Sequence, residues 1–295
     1  MACDPDLLLV NANVLTMDQE QPTASAVAVA GGRIVGVYDG RPDVTAKDVI
    51  DLRGLTLIPG FHDAHNHMIG FGLSLTEVDL HVDSQDELYA RVAAKAAATP
   101  EGEWIIGSGY DQNRTGAHPH RDALDAIAPN HRVWLKHTSS HMCVVNGRVL
   151  ADLGIGPGDT VPQVDGGRVA TDEAGRPTGL LEERAQELVG NLTHPYPLAT
   201  LTEAVDAAGR RYLAEGITSV TEAGVGGGWI GQSPVELAAY VAAREQGRLH
   251  VRTELMVVSD AFRPLAAHPC DGIETGIDLG LRTGFQRGKS LRRGP

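Results

Sequence analysis

Leu55-Thr56-Leu57-Ile58-Pro59-Gly60-Phe61-His62-Asp63-Ala64-His65-Asn66-His67 is the stretch on which the reading of this chain turns. An apolar run ends in a Pro-Gly pair and leads straight into two histidines spaced two apart. On an extended strand, residues two apart project to the same side. His65 and His67 therefore share a side, and Asp63 shares it with them. Neutral imidazole is the commonest side-chain ligand for metals. Two imidazoles on one side of a strand end make half of a metal site. The competing reading is a pair of solvated loop histidines, which a bare His-x-His often is.

The longer frame decides between them. Pro59-Gly60-Phe61-x-Asp63-x-His65-x-His67 resembles the amidohydrolase superfamily of metal-dependent hydrolases. Further motifs are similar to one branch, the family-3 amidohydrolases, which include YtcJ-like and N-substituted formamide deformylase-like proteins. They are Gly107-Ser108-Gly109-Tyr110-Asp111-Gln112, Pro119-His120-Arg121-Asp122-Ala123-Leu124-Asp125, and Val133-Trp134-Leu135-Lys136-His137-Thr138-Ser139-Ser140-His141 with Asn146 after it. Pro177-Thr178-Gly179-Leu180-Leu181-Glu182-Glu183 and Gly216-Ile217-Thr218-Ser219-Val220-Thr221-Glu222-Ala223-Gly224 follow. Each is weak alone, and their order and spacing are specific together.

The resemblance implies a catalytic divalent metal, above all Zn²⁺, with His65 and His67 among its ligands. It implies hydrolysis of a C–N bond in a small amide-like substrate by metal-activated water. Such a metal keeps about three protein ligands and an open position for water. It lowers the pKa of that water to about 7. Asp63 either accepts a hydrogen bond from a ligand histidine, as such partners do, or caps the strand end. The resemblance puts His141 beside the substrate, with His137 as the nearby alternative. Glu183 matches an acidic position of the family and faces the metal or the substrate, while Glu182 reads as a solvated helix charge. Glu222 either reaches the site from a strand end or serves as a helix N-terminal acid, which the helix dipole favours. Asp111 is a similar case. Lys136 is set aside as a ligand, because in the superfamily the ligand lysine comes from a later strand. The tail from Leu281 to Pro295 resembles the approach to that strand. The lysine, histidine and aspartate strands that the resemblance implies next are not found before Pro295, so a truncated or split enzyme is the alternative to an active one.

Composition narrows the class. The chain has 295 residues, 42% hydrophobic and 21% charged, as in ordinary globular proteins. Its net charge of −13 argues against a nucleic-acid partner. No apolar stretch nears the roughly 18 to 20 residues that span a bilayer. The start, Met1-Ala2-Cys3-Asp4-Pro5-Asp6, shows no signal-peptide pattern. Cys3, Cys143 and Cys270 are scattered, which suggests reduced thiols and a cytoplasmic protein. Cys143 reads as a small buried apolar residue rather than a nucleophile. The expected partners are the small substrate, a second copy of the chain, or a polypeptide supplying the C-terminal strands.

The fold class is α/β: a partial (β/α) TIM-like barrel preceded by a small β-sandwich segment. Residues 1–58 read as short strands, with Gly31-Gly32 turning a hairpin between Ala26–Ala30 and Ile34–Tyr38. Residues 59–295 alternate strand and helix, the mark of parallel βα units. Ser84 with Glu87 forms a capping box for a helix from Gln85 to Ala98. Thr202 caps a helix over 203–215, and Ser233-Pro234 opens another. Strands are predicted at Trp104–Gly107, Val133–Leu135, Ile217–Thr221 and His250–Val258. A whole barrel needs about 250 residues. Only about five barrel-like strands are found, with an irregular insertion around 147–178 between the third and the fourth.

Overall fold

The structure is a computed structural model. It describes residues 4–156, 161–226, 235–258, 265–266, 270, 274–275, 286–287 and 291–293. Cys3, the Ser233-Pro234 helix opening and most of the 281–295 tail lie outside the described residues. The chain divides into two compact units, Met1–Phe61 and His62–Pro295.

The first unit is all β. Its strands are β1 (Leu7–Val10), β2 (Asn13–Leu15), β3 (Thr23–Ala24), β4 (Ala26–Ala30), β5 (Arg33–Tyr38), β6 (Asp48–Asp51) and β7 (Thr56–Leu57). They form a four-stranded sheet, β5-β4-β1-β6, and a three-stranded sheet, β3-β2-β7. The predicted hairpin is present: β4 and β5 pair antiparallel. Gly31 and Gly32 both take positive φ, +56° and +74°, as a tight hairpin turn requires. Leu8, Val10, Ala26 and Ala28 form one small core, and Ala12, Val14, Ala24 and Val27 another.

The second unit holds two larger sheets. Its elements run β8 (Phe61–Asn66), α1 (Met68–Ser74), β9 (Val78–Asp79), α2 (Gln85–Ala97), β10 (Trp104–Tyr110), α3 (Gln112–Thr115), α4 (Arg121–Ile127), β11 (Arg132–His137), β12 (Met142–Val145), α5 (Gly147–Asp152), β13 (Gly167–Thr171) and β14 (Pro177–Glu183). After a 3₁₀ turn come α6 (Glu187–Thr193), α7 (Leu198–Ala214), β15 (Ile217–Val225), α8 (Val235–Glu245), β16 (Arg252–Val257), β17 (Leu265–Ala266), β18 (Glu274–Thr275), β19 (Gln286–Arg287) and β20 (Leu291–Arg293).

One sheet has the order β19-β20-β16-β15-β8 and the other β13-β14-β12-β11-β10-β9. This corrects the strand count made from sequence. The strands at 104–110 and 132–137 are not the neighbours of the His65 strand. They lie in a separate mixed sheet, and the strand beside β8 is β15. Two local causes are visible. After β11, Ser140 takes a left-handed conformation (φ +62°) and the chain returns antiparallel as β12. The parallel run β9-β10-β11 therefore ends in antiparallel strands and cannot continue as a βα barrel. Meanwhile α7 packs on α1. Its buried face, Leu201, Ala204, Val205, Ala208 and Tyr212, meets Met68, Ile69 and Leu73. Gly72 permits the approach, because a Cβ there would stand 2.0 Å from the Ala204 carbonyl oxygen. Each fully buried large apolar side chain contributes about 1.5–3 kcal/mol. This seam therefore carries β15 to the side of β8.

Other details also differ from expectation. Ser84 caps α2 as predicted, accepting from the Glu87 amide at 3.2 Å. Thr202, predicted as a cap, lies inside α7, buried, with its hydroxyl donating to the Leu198 carbonyl at 2.8 Å. The helix starts five residues earlier, because Pro197 precedes it and Leu198, Ala199 and Leu201 are good helix formers. The 147–178 stretch, read as irregular, contains α5 and β13, apart from residues 157–160, which are not described. Asn146 explains the start of α5. Buried, it accepts from the Val133 amide (3.1 Å) and the Val149 amide (3.3 Å) and donates to the His131 carbonyl (2.9 Å).

Candidate functional site

β8 ends at Asn66, and its last residues are held by short-range polar contacts. Asp63 accepts from the His65 amide at 3.1 Å with one carboxylate oxygen and from the Asn66 side chain at 2.7 Å with the other. Asp63 thus braces the backbone between the two histidines, which matches its strand-end reading. The Asn66 side-chain oxygen Oδ1 accepts in turn from the Tyr212 hydroxyl at 2.8 Å. Tyr212 belongs to the hydrophobic core on α7. The His65 and His67 rings stand with centroids 5.2 Å apart, nearly perpendicular. His65 is exposed and His67 is partly buried, at the position that precedes α1.

Glu222 is the other half of this arrangement. It lies within β15, 6% exposed. Its Oε2 accepts from the Met68 amide, the first residue of α1, and from the Tyr240 hydroxyl of α8 at 2.8 Å. Its Oε1 lies 3.7 Å from His67 Nδ1. That nitrogen is buried and has no hydrogen-bond partner at bonding distance. The Glu222 carboxylate beside it raises the His67 pKa above the ordinary histidine value, against the opposing pull of partial burial. Tyr240 is fully buried, and burial first, then Glu222, pushes its hydroxyl pKa well up. Glu222 faces His67 from its strand. It also serves a helix N-terminus, but that of α1, which precedes it by more than 140 residues.

The donor chemistry fits a divalent ion as far as it goes. Zn–N bonds are about 2.0–2.1 Å long, and rings 5.2 Å apart can share one ion. The acceptor facing Nδ1 of His67 is what ligand histidines usually have behind them. Two imidazoles are a partial set: no group of three or more His, Cys, Asp or Glu suited to a metal occurs among the described residues.

His141 and Glu183 come together in the other sheet. His141 Nδ1 and Glu183 Oε2 are 3.0 Å apart, and both side chains are more than half exposed. The backbone around them is unusual. Ser140 and Glu183 both have positive φ, +62° and +50°. The Gln186 side chain donates to the Ser140 and Glu183 carbonyls at 3.1 and 3.3 Å, and the Glu183 amide donates to the His141 carbonyl at 2.7 Å.

The remaining candidates have structural partners. His137 is buried: its Nδ1 accepts from the Ser139 amide at 3.0 Å, and its Nε2 faces Gln112 Oε1 at 2.5 Å. Lys136 pairs with the buried Glu77 at 2.6 Å and lies 4.6 Å over the Trp134 ring. Asp111 caps α3, accepting from the Asn113 amide at 2.9 Å. Glu182, read as a helix charge, sits on β14 and pairs with Arg168 across the ladder. Cys143 is fully buried, and burial pushes its thiol up to about 12. Sequence reasoning passed over Tyr212 and Tyr240, whose only signal is a tyrosine set in an apolar helix face.

With this geometry in view, comparison with known proteins gives the class. A model of the amidohydrolase family, family 3, matches residues 48–281, and the chain belongs to that family. Among particular relatives, it is 34% identical over 231 residues to N-substituted formamide deformylase of Arthrobacter pascens, covering 74% of this chain and 42% of that protein. It is 30% identical over 259 residues to the putative amidohydrolase YtcJ of Bacillus subtilis (strain 168), covering 84% and 48%. The chain spans about half the length of these curated relatives. Its fold is similar to that of an uncharacterized metal-dependent hydrolase from Pyrococcus horikoshii OT3, with TM-score 0.68 and 23% identity, over 97% of this chain and 52% of that one. No described helix is long and apolar enough to cross a membrane.

Proposed function

We propose that this chain forms the metal-holding N-terminal part of a hydrolase that cleaves amide-type, non-peptide C–N bonds. The observation that carries the reading is the His65–His67 pair with Glu222 buried behind His67. A divalent ion, above all Zn²⁺, would supply Lewis acidity and an activated water at neutral pH. His65 and His67 hold it. Asp63 and Asn66 keep the strand end in shape. His141, oriented by Glu183, binds or polarises a small amide-like substrate. The deformylase activity named for the Arthrobacter relative supports the C–N bond class. The same reading takes residues 1–58 as a β-sandwich segment and β8, β15, β16 and β20 as opening strands of a (β/α) barrel. It assigns the chain to the cytoplasm, on its scattered cysteines.

Zinc content after dialysis against trace metal tests this, together with turnover of a panel of N-substituted formamides and other small amides. Stoichiometric zinc that is lost in His65→Ala is the expected result. Zinc well below one per chain and unchanged by His65→Ala would overturn the reading.

A second reading is favoured by the two-ligand donor set among the described residues. Here the chain is inactive alone and needs further ligand-bearing strands from a complementing polypeptide. Co-expression with the C-terminal part of a family-3 relative should then raise zinc affinity and restore turnover.

A further inference from the structure

We infer that Glu222 and Tyr240 are positioning residues that fix which ring nitrogen of His67 is available to a ligand. The inference rests on the proposed metal reading for its metal arm alone. The geometry is a relay from the helical core to the strand end. Tyr240 sits fully buried on α8 among Val235, Leu237 and Ala239. A buried tyrosine hydroxyl needs a partner, and this one donates to Glu222 Oε2 at 2.8 Å. The same oxygen receives the Met68 amide at the start of α1. With Oε2 holding two donors, the carboxylate can neither rotate nor withdraw. Oε1 is thereby aimed at His67 Nδ1, 3.7 Å away.

A neutral imidazole carries one proton and one lone pair, and the partner of one nitrogen sets the role of the other. Nδ1 is buried and faces the Glu222 carboxylate, and the Ala223 carbonyl also lies beside the ring. Facing a fixed carboxylate, Nδ1 is the nitrogen placed to carry the proton. The lone pair then sits on Nε2, the nitrogen on the far side of the ring. Glu222 is by this account no proton shuttle. It is nearly inaccessible, and one oxygen is committed to the scaffold.

Nitrogen-15 NMR of the histidine rings in the full chain reads this directly, without metal or substrate. In the wild type, His67 is expected as the Nδ1–H form. In Glu222→Gln, which can turn its amide to either side, the Nε2–H form should appear in comparable amount. Tyr240→Phe, which removes one hydroxyl from an intact core, should shift the ratio part of the way. Titration with Zn²⁺ alone adds the second arm, with affinity expected to fall about 10- to 100-fold in Glu222→Gln, the range for losing a partner behind a ligand histidine. An Nε2–H form in the wild type, or an unchanged ratio in both variants, would overturn the inference. A wild type that takes up no zinc but shows the Nδ1–H form would sink the metal reading and leave the positioning role standing.

Discussion

Two of the second unit's histidine–carboxylate pairs are built in opposite ways. His67–Glu222 is inside: the carboxylate is 6% exposed and shares its oxygens with a helix N-terminus and a buried tyrosine. His141–Glu183 is outside: both side chains are more than half exposed, on a strained turn of the other sheet. A buried carboxylate leaves unpaired donors behind when removed, whereas an exposed pair contributes little to stability. The largest contrast should follow from truncating each acid. Glu222→Ala strands the Met68 amide and the Tyr240 hydroxyl, and breaking such buried pairs costs about 3–5 kcal/mol. Glu183→Ala should cost under about 1 kcal/mol. Urea unfolding of the two variants compares them, and equal losses would remove the distinction.

A second contrast lies between a helix glycine, Gly72 of α1, and a strand glycine, Gly107 of β10. A Cβ at Gly72 meets backbone, the Ala204 carbonyl at 2.0 Å. At Gly107 it meets the tip of a flexible side chain, Leu80 Cδ1 at 2.7 Å. Alanine would favour the α1 helix intrinsically by about 1 kcal/mol. Forcing α1 off α7 should outweigh that, for a net loss of about 3 kcal/mol, the upper end of overpacking. Gly107→Ala should cost about 1 kcal/mol, since Leu80 can yield. Denaturation midpoints measure both. If Gly72→Ala were neutral, the α1–α7 seam would not be what brings β15 beside β8.

That seam is also the part of the fold that no local stretch of sequence specifies. Local chemistry was legible: the Gly31-Gly32 hairpin, the Ser84 cap and the two-residue spacing of His65 and His67 all depend on neighbours a few positions away. The pairing of β15 with β8 depends on residues about 150 positions apart, brought together by two helices whose closest approach is at Gly72. Strand periodicity at 104–110 and 132–137 looked the same whether those strands flanked β8 or formed their own sheet. Glu222 could be placed near a strand end from its motif. Its partners, Met68 and Tyr240, come from different helices, so its role was not open to inspection of the motif. The strain at Glu183 is a backbone property that carries no residue-type signal.

Histidines near the two sheets should also separate by pH. Near the six-stranded sheet, burial lowers the pKa of His194 from 6.5 to about 4, and Lys136 adds to the effect. Burial lowers His118 and His137 as well. The unfolded chain takes up these protons at higher pH than the folded one. Their contribution to stability is therefore complete above about pH 6.5 and lost as pH falls toward the folded values. For His194 this amounts to at most about 3 kcal/mol by pH 4. His67 runs the other way: its contribution is present below the ordinary histidine value and is lost as pH rises through its raised one. Urea midpoints between pH 7 and 4.5 should fall, and His194→Phe should flatten that fall. An acid limb as steep in the variant would show that His194 is protonated in the folded state.

The smallest effect has an unusual sign. Glu183 holds φ +50° and ψ −129°, a region that costs a side-chain-bearing residue about 1–3 kcal/mol and glycine almost nothing. Glu183→Ala keeps the strain and loses the carboxylate. Glu183→Gly loses both. Glycine gives back part of the gain through its freer unfolded chain, roughly 0.4–1 kcal/mol. Glu183→Gly should therefore be more stable than Glu183→Ala by about 1 kcal/mol and at least as stable as the wild type. That outcome would fit the proposed role of the Glu183 carboxylate in orienting His141. The same variants should then lose turnover of any amide substrate found, while Glu183→Gly melts no lower than wild type. If Glu183→Gly unfolds more readily than Glu183→Ala, the backbone at this turn is unstrained, and the exposed pair becomes an ordinary surface contact.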